Sequence, residues 1–353
     1  MKEIRVKTAQ SEYGVIIGFG ALKRLESLLL GLHADCVVFV ADTNTISIAR
    51  QVYNDITGIK LKKIIEIPAG EVNKTPETAV KLCSAFAASG LTRGSVAVAV
   101  GGGVIGDTVG FAAAIYLRGI RFVQVPTTII AATDSSVGGK TGVDLPEGKN
   151  LIGAFRQPEA VFADTCLLDT LPGREITSGL GEVLKYYLLG AFEEKCLDVF
   201  PLSRDSLKSV DFEELIARCV EFKARLVCED EFDNGVRRYL NLGHTFGHAL
   251  EKHCEYTRYN HGEAVAIGIK IAVRLGIKLG ITDAEVLYEL DSVAWKMGLQ
   301  TDTELKISEL FRNITTDKKR LGDNSNIILL KRLRAPTVVT LTDSELREAV
   351  SEL

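Results

Sequence analysis

Short runs of consecutive apolar, largely β-branched residues alternate with longer stretches of helical period through the first half of the chain. The runs are Cys36–Ala41 (CVVFVA), Leu61–Ile67, Ser95–Val100 (SVAVAV) and Arg121–Val125. Between them lie Ile46–Tyr53, Thr75–Ser89 and Val104–Leu117. Near-continuous apolar strands separated by amphipathic helices predict a parallel sheet covered on both faces. After Leu171-Pro172-Gly173 the texture changes: helical patterns cover Arg174–Leu189, Asp211–Cys228, Gly243–Cys254, Gly262–Leu279 and Ala284–Met297. Only Asn326–Leu330 (NIILL) and Thr337–Leu341 still read as extended. The turn signal at the change predicts an α/β domain over 1–170 and a mainly helical domain over 171–353.

A chain of 353 residues is large enough for two cores. With 46% hydrophobic and 25% charged residues it is neither disordered nor of unusual composition. The formal charge of −4 argues against a nucleic-acid partner, which would call for a basic surface, but leaves room for a local cationic pocket. Seven scattered cysteines without a C-x-x-C are neither a disulfide framework nor a thiolate zinc site and suit a reducing cytosol. The amino-terminal MKEIRVKTAQSEYG lacks the apolar core of a signal peptide, and no apolar stretch reaches the ~20 residues of a membrane span. The expectation is a soluble, cytoplasmic protein without a membrane partner.

The SVAVAV run passes directly into Gly101-Gly102-Gly103-Val104-Ile105-Gly106-Asp107 and then a helix. A strand, a glycine turn and a helix start can bind phosphate, because backbone N–H groups approach closely and the helix N-terminus favours an anion. A tight strand-to-helix turn explains the same residues. Ala69-Gly70-Glu71-Val72-Asn73-Lys74 also follows a strand and offers a carboxylate and a cation beside a glycine. Asp42 and Asn44 close an earlier strand, suited either to a ribose or to a helix cap. Val125–Asn150 is crowded with Thr127, Thr128, Asp134, Ser135, Ser136, Lys140, Lys149 and Asn150, a solvated loop or two lysines converging on an anion. Arg118 ends the preceding helix, where it can simply meet the dipole.

Four of the five histidines fall between positions 244 and 261. His244 and His248 stand one helical turn apart on one face, and His261-Gly262-Glu263 opens the next helix. Neutral imidazoles converging from adjacent helices suit a divalent metal, most simply zinc, with a carboxylate often completing the set. Glu182, in Ser178-Gly179-Leu180-Gly181-Glu182-Val183-Leu184-Lys185, is the best carboxylate candidate because it lies among glycines and apolar residues. His253 reads as surface.

With these motifs assembled, the chain resembles the 3-dehydroquinate synthases, a family of sugar-phosphate cyclases related to the glycerol-dehydrogenase-like oxidoreductases. GGGVIGD, VPTTxxAxxDSSVGGKT, GKNLIGAF, GLGEVLKY, LNLGHTFGHALE and HGEAVAIG stand in the family's order. The resemblance implies a nucleotide-binding parallel sheet in the first domain and a metal site of Glu182, His244 and His261 in the second. The metal would be zinc, with Co²⁺ able to occupy the same ligands. It implies NAD held by Gly70, Glu71, Lys74, Gly103, Val104, Ile105, Gly106, Asp107, Thr127, Thr128, Leu168, Asp169 and Thr170. Asp42 and Asn44 would lie at the adenosine end, with Lys140 and Lys149 beside the cofactor and the substrate. A sugar-phosphate substrate would meet Asp134, Lys140, Lys149, Asn150, Lys185, Arg237 and Asn241, with His248 on the substrate side and Lys318 or Lys319 joining them. An arginine matching Arg118 would reach the phosphate bound by a neighbouring subunit, which implies a homodimer. Gly181 stands where the family often has Ala, a change expected to cost nothing.

The reaction so implied converts 3-deoxy-D-arabino-heptulosonate 7-phosphate to 3-dehydroquinate and phosphate without net redox change. Another sugar-phosphate cyclase activity and a metal-dependent polyol dehydrogenase are the competing enzyme expectations. A zinc-stabilised scaffold is the non-catalytic one.

Overall fold

The structure, a computed structural model, describes residues 1–193, 210–310, 324–351 and 353. It divides into two compact units, Met1–Leu171 with Phe212–Phe232, and Pro172–Asp211 with Asp233–Leu353. Among the described residues no helix is long and apolar enough to cross a membrane.

The first unit is built on β1 (Lys2–Lys7), β2 (Glu12–Ile17), β3 (Val37–Asp42), β4 (Lys62–Ile67), β5 (Val96–Gly101) and β6 (Arg121–Pro126). The hairpin β7 (Lys140–Leu145) and β8 (Gly148–Phe155) follows, and then β9 (Ala160–Ala163). Seven of these strands form one sheet in the order β1-β2-β9-β6-β5-β3-β4. Its pairings are parallel except for β1 with β2. Helices α1 (Leu25–Gly31), α2 (Ile46–Asp55), α3 (Pro76–Ala88) and α4 (Gly103–Ile115) connect or flank the strands.

Strand pleating explains why Val37–Ala41 of β3 and Val96–Val100 of β5 are apolar at every position. Val37, Phe39, Val96, Val98 and Val100 pack with Leu25, Leu29, Ala49 and Val52 on one face. Val38, Val40, Ala97 and Ala99 pack with Leu82, Phe86, Ile105, Val109 and Ala112 on the other. Both faces of a parallel sheet are thus covered, as the sequence predicts. The strand order reverses at β3, which has β4 on one side and β5 on the other. Ligands of open α/β sheets bind outside the carboxyl ends of the strands at such a point.

The stretch 125–150 is more ordered than a solvated loop. A single π-helical turn, Ala131–Ser135, follows β6, and the chain then forms the β7–β8 hairpin. Gly142 and Gly153 face each other across it, and a Cβ on Gly153 would lie 2.4 Å from the Thr141 carbonyl oxygen.

In the second unit, α7 (His244–His253) and α8 (His261–Lys278) share a core with an antiparallel pair, β10 (Asn324–Leu330) and β11 (Pro336–Thr342), while α5 (Gly173–Leu189) and α9 (Glu285–Lys296) pack against α8. The predominantly helical character matches the expectation. Helix α6 (Phe212–Glu229) follows α5 in sequence yet groups with the first unit.

Candidate active site

At the carboxyl end of β5 the chain turns into α4, whose N-cap is Gly102. No side chain caps this end and no acidic residue lies in its first turn, so the leading N–H groups and the positive end of the helix dipole remain available to an anion. The glycines have distinct duties. A Cβ on Gly101 would sit 2.6 Å from the Ile105 side chain, and one on Gly106 2.5 Å from Gln124 Oε1, so these two serve close packing. Gly102 and Gly103 face Thr128 and Ser135. Thr127 donates its N–H to the Gly101 carbonyl at 3.0 Å, which holds the β6 turn against the glycine turn. Asp42, at the end of β3, accepts at Oδ1 from the N–H groups of Asn44 and Thr45 and from the Thr45 hydroxyl, each at 2.9 Å. That carboxylate oxygen organises its own turn, while Asn44 is exposed. Leu168, Asp169 and Thr170 lie in the 3₁₀ turn after β9.

Charged residues of the first unit form two groups. Lys74 is buried, with its ammonium donating to Asp107 Oδ2 and Asn150 Oδ1, both at 2.7 Å. Burial works against that charge, but Asp107, Glu71 and Asp144 outweigh it and hold the Lys74 pKa above its ordinary value. Its ammonium therefore ties the α4 start to β8. Gly70, at φ 102°, opens the turn that places Glu71. Glu71 pairs with Lys149 at 3.2 Å. Asn150 is in the left-handed region (φ 52°) and Lys140 is an exposed residue at the start of β7.

The second group joins Asp134, in the π-helical turn, to Lys223 on α6. The Lys223 ammonium pairs with Asp134 Oδ1 and donates to the Asp134 carbonyl at 2.8 Å. Lys223 is not among the residues expected from sequence, although a signal exists. It falls on the buried stripe of α6 with Ile216, Cys219, Val220 and Val227, where an unpaired lysine would be costly. Lys318 lies outside the described residues.

The second unit gathers the expected metal ligands. Glu182 on α5 is fully buried, and Oε1 stands 3.4 Å from Nε2 of both His244 and His261. Lys185, one turn later and also fully buried, pairs with Oε2. Neither carboxylate oxygen has a well-formed hydrogen bond. Donors about 2.1 Å from a tetrahedral ion stand about 3.4 Å from one another, so these separations fit ligands better than a direct hydrogen bond. The opposite ring nitrogens are engaged: His244 Nδ1 lies 3.2 Å from the Leu242 carbonyl and His261 Nδ1 3.3 Å from Glu251 Oε2. Metal-bound histidines characteristically use their second nitrogen in this way. Burial disfavours charge on His261, yet Glu251 and Glu182 push its pKa up to about 10, marking a locus of excess negative charge. Among the described residues, donor atoms of His244, His248 and His261 lie within 4.8 Å of one another. Arg237 is buried in the 3₁₀ turn Val236–Asn241, and Asn241 donates to the Arg238 carbonyl at 3.0 Å. His253 is exposed, as expected.

Residues 64–178 match the family profile described as 3-dehydroquinate synthase N-terminal, and residues 179–320 match 3-dehydroquinate synthase C-terminal. A 3-dehydroquinate synthase of Alkaliphilus metalliredigens is 38% identical over 351 residues, covering 98% of this chain and 97% of that protein. One from Thermoanaerobacter pseudethanolicus is 43% identical over 287 residues, covering 79% of each chain. The crystal structure of 2-deoxy-scyllo-inosose synthase complexed with carbaglucose-6-phosphate, NAD⁺ and Co²⁺ superposes with a TM-score of 0.88. It is 27% identical and covers 99% of this chain and 100% of that one. The structure of 2-epi-5-epi-valiolone synthase from Streptomyces hygroscopicus with NAD⁺ and Zn²⁺ bound has a TM-score of 0.84. It is 25% identical and covers 98% of each chain. A probable glycerol dehydrogenase from Sinorhizobium meliloti, 20% identical with a TM-score of 0.66 over 95% of each chain, shares the fold. Profile, near-full-length identity and fold agree: the chain belongs to the 3-dehydroquinate synthase family.

Proposed function

We propose that this chain converts 3-deoxy-D-arabino-heptulosonate 7-phosphate to 3-dehydroquinate and phosphate, as an NAD- and divalent-metal-dependent carbon–oxygen lyase of the shikimate pathway, which leads through chorismate to the aromatic amino acids. The observation that carries the metal-dependent part is the buried Glu182 carboxylate, 3.4 Å from two Nε2 atoms whose rings are held from behind. Support for the cofactor comes from the uncapped α4 N-terminus at the strand-order reversal.

Glu182, His244 and His261 would hold Zn²⁺ or Co²⁺. Gly103 to Asp107, Thr127, Thr128, Gly70, Glu71, Lys74 and Leu168 to Thr170 would hold NAD, with Asp42 and Asn44 at the adenosine end. When bound, NAD would supply reversible hydride transfer and the metal Lewis-acid polarisation of a substrate oxygen. Lys140, Lys149 and Arg237 fix the anionic ends of the substrate, which keeps one molecule oriented through successive steps. Asp134, Asn150 and Asn241 hydrogen-bond its hydroxyls. Lys185 and His248 handle protons. The set is rich in cations and poor in bases, so the departing phosphate itself takes the proton from the neighbouring carbon.

Substrate and products stand at one oxidation level, which sets the test. Purified protein with the heptulosonate phosphate, catalytic NAD and Zn²⁺ is expected to release phosphate stoichiometrically while absorbance at the NADH band stays flat. NADH accumulating with turnover would replace this reading with a polyol dehydrogenase.

The protein is proposed to act as a homodimer in the cytoplasm. Exposed Arg118 sits between Leu117 and Gly119 in three successive positive-φ conformations (51°, 64° and 120°), next to exposed Ile115 and Leu117. A strained segment beside exposed apolar side chains suits a subunit contact that presents the guanidinium. The free thiols Cys36, Cys83, Cys166, Cys219, Cys228 and Cys254 suit a reducing compartment. Light scattering should give twice the 38.4 kDa chain mass. Arg118→Ala should keep that mass while lowering kcat/KM by about 10–100-fold, the loss of one charge-assisted contact. A monomeric, fully active wild type would refute the arrangement.

A further inference from the structure

We propose that Glu251 is a positioning residue of the metal centre, whose buried carboxylate keeps His261 protonated at Nδ1 and so turns Nε2 toward Glu182. The proposal rests on Glu182, His244 and His261 being the metal ligands. Glu251 is only 3% exposed and lies on α7, three residues after His248 and seven after His244, so one helical stripe carries all three. Its Oε2 lies 3.3 Å from His261 Nδ1.

The two ligand rings are held by different means. His244 leans on a backbone carbonyl, that of Leu242, which needs no particular side chain. His261 is the first residue of α8, and its backbone is located by the capping box of Asn260 and Glu263. That box leaves the ring torsions undetermined, and the carboxylate across on α7 sets them. A buried carboxylate fits such a task because an anionic acceptor binds the Nδ1–H more strongly than a carbonyl does and makes Nε2 more basic. Helix α7 thereby supplies one ligand, His244, and orients the ligand that α8 supplies.

The test compares Zn²⁺ affinity, by competition with a chromophoric chelator, and the visible spectrum of the Co²⁺-loaded protein. Wild type, Glu251→Gln and Glu251→Met are measured. Met keeps the length and packing of the side chain but is only a weak hydrogen-bond acceptor; Gln can still accept through its amide oxygen. Glu251→Met is expected to bind Zn²⁺ about 10–100-fold more weakly, with altered Co²⁺ bands, while Glu251→Gln stays within about tenfold of wild type with its spectrum little changed. A purely packing role would lower the melting temperature of the metal-free protein and leave both metal readouts unchanged. Wild-type affinity and spectrum in Glu251→Met would overturn the proposal, as would Gln behaving as badly as Met. Failure of the wild type itself to bind either metal would overturn the ligand assignment and this proposal with it. Tight wild-type binding matched by Glu251→Met removes the role of Glu251 alone.

Discussion

Replacing His261 by alanine is expected to remove the metal and the activity together. The ring is one of two whose Nε2 stands 3.4 Å from Glu182 Oε1, so its loss leaves two protein ligands where a catalytic zinc site uses about three. Dialysed His261→Ala protein should retain far less than one equivalent of Zn²⁺. Its turnover should fall by on the order of 10³-fold, since a bound metal contributes several kcal/mol to stabilising charge on oxygen. The informative companion is His248→Ala. His248 belongs to the same cluster of donor atoms, within 4.8 Å, so proximity alone admits it as a ligand. If it lies on the substrate side, His248→Ala keeps its metal and loses turnover. A metal-replete, fully active His261→Ala protein would refute the ligand set; loss of metal from His248→Ala would enlarge it.

How far the sequence discloses this molecule depends on how each residue is constrained. Strands β3 and β5 are legible because both faces are covered, so every position before the closing Asp42 and Gly101 is apolar. Strand β1 is hidden because it is an edge: in KEIRVK only Val6 is buried, and the remaining positions read as a charged tail. The β7–β8 hairpin is hidden because its own requirement is glycine, at Gly142 and Gly153, and glycine also marks loops. The histidines are legible through clustering, and Glu182 through its apolar surroundings. Lys223 and Glu251 escape for one shared reason. Each is a charged residue on an otherwise ordinary amphipathic helix; the buried stripe hints that the charge is enclosed, but the partner across the fold, Asp134 or His261, is what gives it a role. Asp42 shows the reverse case: of the two duties its position allows, Oδ1 performs the local one, bracing the turn after β3.

The glycine that follows His261 is expected to be as sensitive as the histidine, for a steric reason. Helices α5 and α8 touch backbone to backbone: a Cβ on Gly262 would lie 1.6 Å from the Ser178 carbonyl oxygen, and one on Gly181 2.0 Å from the Gly262 carbonyl oxygen. The Gly262 N–H also donates to Ser178 Oγ at 3.2 Å. No rotamer relieves a clash with backbone, so Gly262→Ala must push the helices apart. Glu182 follows Gly181 and His261 precedes Gly262, so separating the helices lengthens the 3.4 Å spacing between their ligand atoms. Metal sites tolerate only ~0.2 Å in ligand distance, and overpacking of this severity costs about 3 kcal/mol or more. Gly262→Ala should therefore melt at least ~5 °C lower than wild type and bind Zn²⁺ on the order of 100-fold more weakly. Gly181 fits the same crossing: its missing Cβ is what admits the Gly262 carbonyl, so glycine and alanine are not interchangeable there as the sequence alone suggests. A Gly262→Ala protein with wild-type melting and wild-type metal affinity would mean that the α5–α8 crossing does not set the geometry of the site.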